Sequence, residues 1–344
     1  MKRWQFWVGV LISAFFLYRV LHDIEFNQLW QDVQAANYWW IIPGVAVYFV
    51  AVWVRAWRWH YLLRPLKAIS TRKMFPIVTI GYAGNNIYPA RAGEVLRAVI
   101  LKRHEDVPIS ASLATIIVER VFDGVVMLSF IFLNLPELAR MTEDVRVFGG
   151  LTIQSLALVG SLAFLGALAI FLIAAMFPAG TERMVNWFVN LFVPVRFRER
   201  VLDLSARFLG GLESLRSPRE ALMVFLTSVV IWLLETVKYW FVMYAFNFQV
   251  SFFTLMLMNG VVNLATTIPS APGYLGTFDL PGIAVLTAYG IDKEVATSYT
   301  FVLHFALWLP ITLLGLYYLT KEGVRWGQAV ESVKAEGKME GSEI

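Results

Sequence analysis

Two stretches of polar, backbone-breaking sequence interrupt an otherwise apolar chain in matching ways: GNNIYPARAGEVLR at 84–97 and TTIPSAPGYLGTFD at 266–279. Each follows an apolar run, reaches a proline, and has a glycine four positions later (Pro89 to Gly93, Pro269 to Gly273). An acidic residue, Glu94 or Asp279, precedes the return to apolar sequence. Proline removes a backbone donor and glycine opens positive φ, so neither stretch should continue as a regular helix. Inside a bilayer, broken backbone survives only where protein buries it or where it lines a wet cavity. One such interruption in each half of a chain is the pattern that marks a transporter's substrate site.

The setting of these breaks is that of a membrane protein. Of 344 residues, 58% are hydrophobic and 16% charged, against roughly 25% charged in a soluble protein. Cysteine is absent, which excludes disulfides, thiol catalysis and Cys-ligated metals. His22, His60, His104 and His304 show no metal-ligand spacing, so neither a metal nor another cofactor is expected. The net charge of +4 suits basic membrane-facing loops and not a nucleic-acid partner. Residues 4–21 follow Lys2 and Arg3 but lack a small-residue cleavage pattern, and so read as a retained first span.

Apolar runs long enough to cross a bilayer lie near 4–21, 38–54, 109–135, 150–177, 221–246 and 296–320, with 74–100 and 251–290 as the two interrupted segments. Lys and Arg concentrate in 55–73 and 180–220, whereas 22–37 has neither and 137–147 is net acidic. The positive-inside rule then places both termini and the two basic loops in the cytoplasm of the cell's inner membrane. Counting crossings, segment 74–100 enters and leaves on the cytoplasmic side and 251–290 on the outside. The expectation is an all-α polytopic fold of about six full spans plus two oppositely oriented re-entrant hairpins, an inverted-repeat architecture. The plainer alternative is a pair of full spans at each site. A single membrane domain should occupy 1–320, followed by a disordered cytoplasmic tail at 321–344, and 198–216 reads as an amphipathic cytoplasmic helix.

Charges within these runs are the candidate site. IIVERVFDGVV puts Glu119, Arg120 and Asp123 near the middle of 109–135. Each such charge costs on the order of 2.5–3.5 kcal/mol at the centre of a lone inserted helix, so the three should face a polar interior, as a substrate site or as an ion-pair staple. The first break adds Asn85, Asn86, Arg91, Glu94 and Arg97. A helix starting near Ala92 would aim free N–H groups at the break, and Arg91 beside it would suit a phosphate. The second break adds Thr266, Thr267, Ser270, Thr277 and Asp279, unless it is merely a tight external turn. Glu235 and Lys238, three apart, read first as a self-neutralising pair. Arg55 and Arg58, at a span end among tryptophans, read as snorkelling anchors. His304, alone on an apolar helix, reads as a satisfied core residue.

Three signatures in this order resemble the lysylphosphatidylglycerol synthase transmembrane family, the flippase-like membrane domain also found in the multiple peptide resistance factor. They are Asn86, Pro89, Arg91, Gly93, Glu94 and Arg97 in NIYPARAGEVLR, then Glu119, Arg120 and Asp123 in ERVFD, then PSAPGYLGTFD. The family commonly reads P-x-x-P-G-G-x-G-x-x-E at the third, so Tyr274 stands for a glycine and Asp279 for a glutamate. The resemblance spans roughly residues 5–320 and implies movement of a polar lipid between leaflets through a central cavity. The soluble aminoacyl-transferase domain of some members is expected to be missing.

The expected function is therefore translocation of a polar, phosphate-bearing lipid, by a transporter and not an enzyme. The expected partner is a membrane lipid headgroup, held by Asn86, Arg91, Glu94, Arg97, Glu119, Arg120, Asp123, Ser270, Thr277 and Asp279. Oligomerisation is left open. The rivals are an integral membrane transferase acting on a polyprenyl-phosphate donor, and a non-catalytic partner in cell-envelope assembly.

Overall fold

The computed structural model describes residues 3–22, 24–88, 91–141, 177–195, 217–268 and 270–321, with shorter stretches between 146 and 206. The expected span at 150–177, the amphipathic helix at 198–216 and the tail at 321–344 fall largely outside the described residues, as do Pro89 and Pro269. The described residues are helical apart from loops and one two-residue antiparallel pairing, Arg146–Val147 with Leu151–Thr152. In order the helices are α1 (Arg3–Leu21), α2 (Phe26–Ala35), α3 (Ile41–Leu63), α4 (Thr71–Ile87), α5 (Ala92–Glu105) and α6 (Ile109–Met141). Then follow α7 (Pro178–Phe192), α8 (Pro218–Met243), α9 (Phe252–Ala265), α10 (Asp279–Ala288) and α11 (Lys293–Lys321).

Local sequence sets the helix ends. Ser217 accepts from the Glu220 N–H at 3.4 Å ahead of α8, with Pro218 in the first turn, where its missing donor does no harm. Ser251 caps α9 through the Thr254 N–H at 3.0 Å. Lys102, Arg103 and His104 fill the last turn of α5, where cations oppose the negative end of the helix dipole.

Among the described residues, three helical segments are long and apolar enough to cross a membrane: Tyr38–Leu63, Arg219–Met243 and Lys293–Lys321. A fourth span results if α1 and α2, bent by 89°, are taken together. Large apolar side chains cover the outside: Leu11, Ile42, Leu133 and Leu313 are each more than half exposed. Such a surface has no place in water and suits hydrocarbon. The chain is thus an α-helical integral membrane protein.

Two apolar clusters flank the centre. Val52, Ala56, Trp59 and Leu63, one face of α3 at helical spacing, are wholly buried against Met74, Ile80, Leu96 and Ile100 of α4 and α5. The second cluster joins Val242 and Tyr239 of α8 to Leu255, Met258, Phe278, Leu286, Tyr299 and Leu303. Each cluster contains one of the broken segments, whose two arms pack on each other: α4 on α5 in the first, α9 on α10 in the second. α4 and α5 pack so closely that a Cβ on Gly84 would lie 2.7 Å from Gly93 Cα, and one on Gly93 would lie 1.9 Å from the Gly81 carbonyl oxygen. Gly84 and Gly93 thus meet backbone, whereas Gly282 of α10 meets only side-chain ends, Met258 Cε at 2.7 Å and Thr300 Cγ2 at 3.1 Å. Close backbone approach, not only a tight turn, is what Gly84 and Gly93 supply.

Candidate functional site

The break between α4 and α5 turns through Arg91, which is left-handed (φ 52°), and α5 begins at Ala92. The break between α9 and α10 turns through Gly273 (φ 75°), Tyr274 (φ 60°) and Gly276 (φ 79°). Tyr274 therefore holds a conformation that glycine adopts without strain, which gives a physical reason for a glycine at that position of the family pattern. The two breaks meet: the Arg91 guanidinium points Nη2 at the carbonyl oxygen of Thr266, 3.4 Å away.

A cavity of about 150 Å³ opens between them. Asn86, Arg91, Glu94, Arg97 and Arg120 line it from α4, α5 and α6, and Arg55, Glu235 and Lys238 line it from α3 and α8. Thr266, Tyr274 and His304 close the far side. Among the expected site residues, these five from α4 to α6 thus share one cavity. Glu119 and Asp123 lie behind it, each 1% exposed. Asp279 is buried on the other side of His304, while Ser270 and Thr277 stand outside the cavity lining; the Thr277 hydroxyl is spent on the Tyr274 carbonyl at 3.0 Å.

The charges fall into two kinds. One is a compact, dry network. Arg58 grips Asp123 with both terminal nitrogens, at 2.5 and 3.3 Å, and donates to Ser228 Oγ at 2.8 Å. Trp232 Nε1 donates to the same carboxylate at 2.9 Å. Arg97 donates to Glu119 at 2.6 Å, with its guanidinium 3.9 Å from the Trp59 ring centre. Arg55 donates to Glu235 at 3.1 Å, and Lys238 pairs with the same carboxylate. Burial of these ions is tolerable because each finds an opposite charge and oriented hydrogen bonds.

The other kind is open. Arg91 stands 3.7 Å from Glu94. Arg120 stands 3.5 Å from Glu94, 3.9 Å from Glu119 and 3.6 Å from Asp123. These distances exceed ordinary charge-assisted hydrogen-bond lengths; a buried Nε without a partner among the described residues, by contrast, is common to Arg120 and to Arg55, Arg58 and Arg97. The side chains of Arg91, Glu94 and Arg120 keep 29%, 20% and 35% of their surface exposed. Glu94 lies in the first turn of α5, so the positive helix end and Arg91 already face one carboxylate.

Two readings of single residues are corrected. Arg55 and Arg58 do not snorkel to an interface: they are 6% and 1% exposed and hold the network together. The tryptophans around them suggested an anchor, but their partners come from α6 and α8. His304 is not alone: Nδ1 lies 2.8 Å from Asp279 Oδ1 and Nε2 lies 2.7 Å from the Gly273 carbonyl oxygen. A carbonyl only accepts, so Nε2 carries a hydrogen. Glu235 and Lys238 do pair, with Arg55 as a third member.

A polytopic helical membrane protein with two helix breaks meeting at a charged cavity is thereby defined. The sequence profile of the lysylphosphatidylglycerol synthase TM region matches residues 6–315, and the chain belongs to that family. Among its relatives is the glycosyltransferase AglD of Haloferax volcanii, 28% identical over 311 residues, covering 80% of this chain and 47% of that protein. The chain thus spans about half the length of AglD. A UPF0104 membrane protein of Methanocaldococcus jannaschii is 22% identical over 314 residues, 89% of this chain and 91% of that protein. Another, of Methanothermobacter thermautotrophicus, is 23% identical over 286 residues, 80% of this chain and 83% of that protein. The expectation that the chain is a transporter and no enzyme is corrected by the first of these, whose name is that of an enzyme. That relation, at low identity and through a chain twice as long, was not legible in any motif here.

Proposed function

We propose that the chain binds the phosphate-bearing headgroup of a polar membrane lipid in the cavity between its two helix breaks, and that this site carries the headgroup from one leaflet to the other. The observation that carries the reading is the contrast in pairing. Arg91 and Arg120 face the cavity with their nearest carboxylates at 3.5 Å or more, while Arg58, Arg97 and Arg55 each hold a carboxylate through a terminal nitrogen at 2.5–3.1 Å. A phosphate can take up the unfilled donors of both, bidentately.

The same proposal includes the topology. Two helix–break–helix units, one in each half of the chain, support re-entrant hairpins of opposite orientation within an inverted repeat of about six spans. A single membrane domain at 1–320 with both termini in the cytoplasm of the inner membrane completes the reading. Ser270, Thr277 and Asp279 then shape the second break and do not touch the headgroup.

A second reading is favoured by the relation to AglD. The cavity would hold a lipid-linked phosphate sugar for glycosyl transfer, and the same cations would face the phosphate. Sealed vesicles containing the purified protein and a headgroup-labelled phospholipid separate the two. The proposal expects inner-leaflet label to become accessible to an impermeant quencher with the lipid unchanged. Formation of a glycosylated product from a polyprenyl-phosphate sugar in detergent, lost with Glu119→Gln, would establish the second reading instead.

A further inference from the structure

A second cavity, about 640 Å³, adjoins the first and has the opposite character. Its walls are Leu17 of α1, Ile87 at the end of α4, Pro272 and Leu275 of the second break, and Phe301 and Phe305 of α11. Phe305 and Leu275 are 59% and 48% exposed, so the groove opens onto the apolar outer surface. It shares Asn86, Gly273, His304 and Trp308 with the polar cavity. The partition is thus a thin layer of side chains: Asn86 donates to Thr312 Oγ1 at 2.8 Å, Trp308 Nε1 reaches back to the Asn86 carbonyl at 3.4 Å, and His304 is fixed to Gly273.

The acid at the groove, Asp279, is already satisfied. One oxygen meets His304 at 2.8 Å and the other accepts the Gly276 N–H at 2.8 Å. The groove therefore offers a headgroup no loosely held charge, while the adjoining cavity offers two loosely paired cations, Arg91 and Arg120. Its size lies within the roughly 300–1,000 Å³ of ligand pockets, and its lining is apolar as theirs are.

We infer that this groove is the seat of the hydrocarbon tail of the same lipid whose phosphate occupies the polar cavity, with Asn86, His304 and Trp308 as the threshold between them. The ligand class is then a single-chain-threading amphiphile, a long-chain alkyl or isoprenoid phosphate. Its tail lies against the protein and not free in the bilayer. The inference rests on the proposed headgroup site and adds a tail site to it. The wall the two cavities share, Asn86, Gly273, His304 and Trp308, and the division of charge between them are what commit the groove to this occupant.

Photo-crosslinking tests it, using the full chain and dodecyl phosphate with a diazirine at the chain terminus, beside the matching uncharged dodecanol probe. The phosphate probe should label peptides containing Leu17, Leu275 or Phe305, and excess inorganic phosphate should compete. Leu275→Trp fills the groove from an exposed position. It should lower that labelling by about tenfold, the loss of roughly two buried methylenes, and Phe305→Trp should act likewise in protein of unchanged melting temperature. Labelling spread evenly over the outer helices, equal for both probes, would overturn the tail site even where Arg91→Ala still abolishes headgroup movement. Crosslinks joining two chains at the groove would overturn it in favour of a second copy as occupant. Headgroup movement unaffected by Arg91→Ala would instead overturn the headgroup reading on which the tail site rests.

Discussion

Within one turn of α6 the protein holds charges in two opposite ways. Asp123 accepts from Arg58 twice and from Trp232, and Glu119 accepts from Arg97 at 2.6 Å, all with almost no exposure. Arg120, between them in sequence, stands 3.5–3.9 Å from three carboxylates, with no ion-pair contact as short as those of Arg58 and Arg97. The first arrangement resembles a structural fastening: removing a member strands a buried ion. The second is unfinished, and a ligand with several acceptor oxygens would finish it. In a membrane, where every unpaired polar group is expensive, the tightness of pairing separates charges already matched within the fold from charges left available to a ligand.

The largest expected effect breaks the tight side. Arg58→Ala leaves Asp123 without its main partner and should cost about 3–5 kcal/mol, read as a lower unfolding midpoint in detergent. A midpoint close to wild type would dissolve the distinction between the two regions. Next is the joint on which the loose side is mounted. A Cβ at Gly93 would lie 1.9 Å from the Gly81 carbonyl oxygen and 2.6 Å from the Asn85 nitrogen, and backbone atoms cannot yield as side-chain ends do. Gly93→Ala should therefore force α4 and α5 apart at a cost of roughly 1–3 kcal/mol. It should also displace Arg91 and Glu94, so that headgroup movement falls more than the unfolding midpoint does.

The smallest effect lies outside the candidate spanning helices. Glu105, at the end of α5, accepts from Lys73 at 2.8 Å and pairs with Lys67 at 2.8 Å. Hydrogen bonds from Lys67 and then Lys73 hold its carboxyl below the ordinary range. A lowered folded-state value means that the stabilisation is present above the unfolded value and is lost as pH falls through the folded one. Both lysines are largely solvent-exposed, so the effect is under about 1 kcal/mol. Glu105→Gln should flatten the acid limb of a stability-against-pH curve, and an unchanged limb would remove Glu105 from the account.

Which of this could be read from the chain follows from distance along it. The breaks at Arg91–Gly93 and Gly273–Gly276 were legible because proline and glycine act locally on their own backbone. So was the Glu235–Lys238 pair, three residues apart. Arg58 was not, because its partner Asp123 is 65 residues away and the side of α3 it faces is decided by packing. Arg55 is separated from Glu235 by 180 residues, and the neighbouring Trp53, Trp57 and Trp59 imitate an interfacial belt. His304 looked solitary because Asp279 belongs to the second break, 25 residues earlier. Local rules of backbone conformation locate the cavity, and long-range pairing decides which of its charges are already taken.

The most direct test sets one arginine of each kind side by side. For Arg91→Ala and Arg58→Ala, movement of a headgroup-labelled phospholipid in sealed vesicles is measured together with the unfolding midpoint. The account predicts that Arg91→Ala loses headgroup movement while melting within about 0.5 kcal/mol of wild type, as a change at a loosely paired, partly exposed site should. Arg58→Ala should be destabilised first and foremost. Full headgroup movement in a folded Arg91→Ala protein would contradict the claim that the unfilled donors of this cavity are the lipid phosphate's binding site.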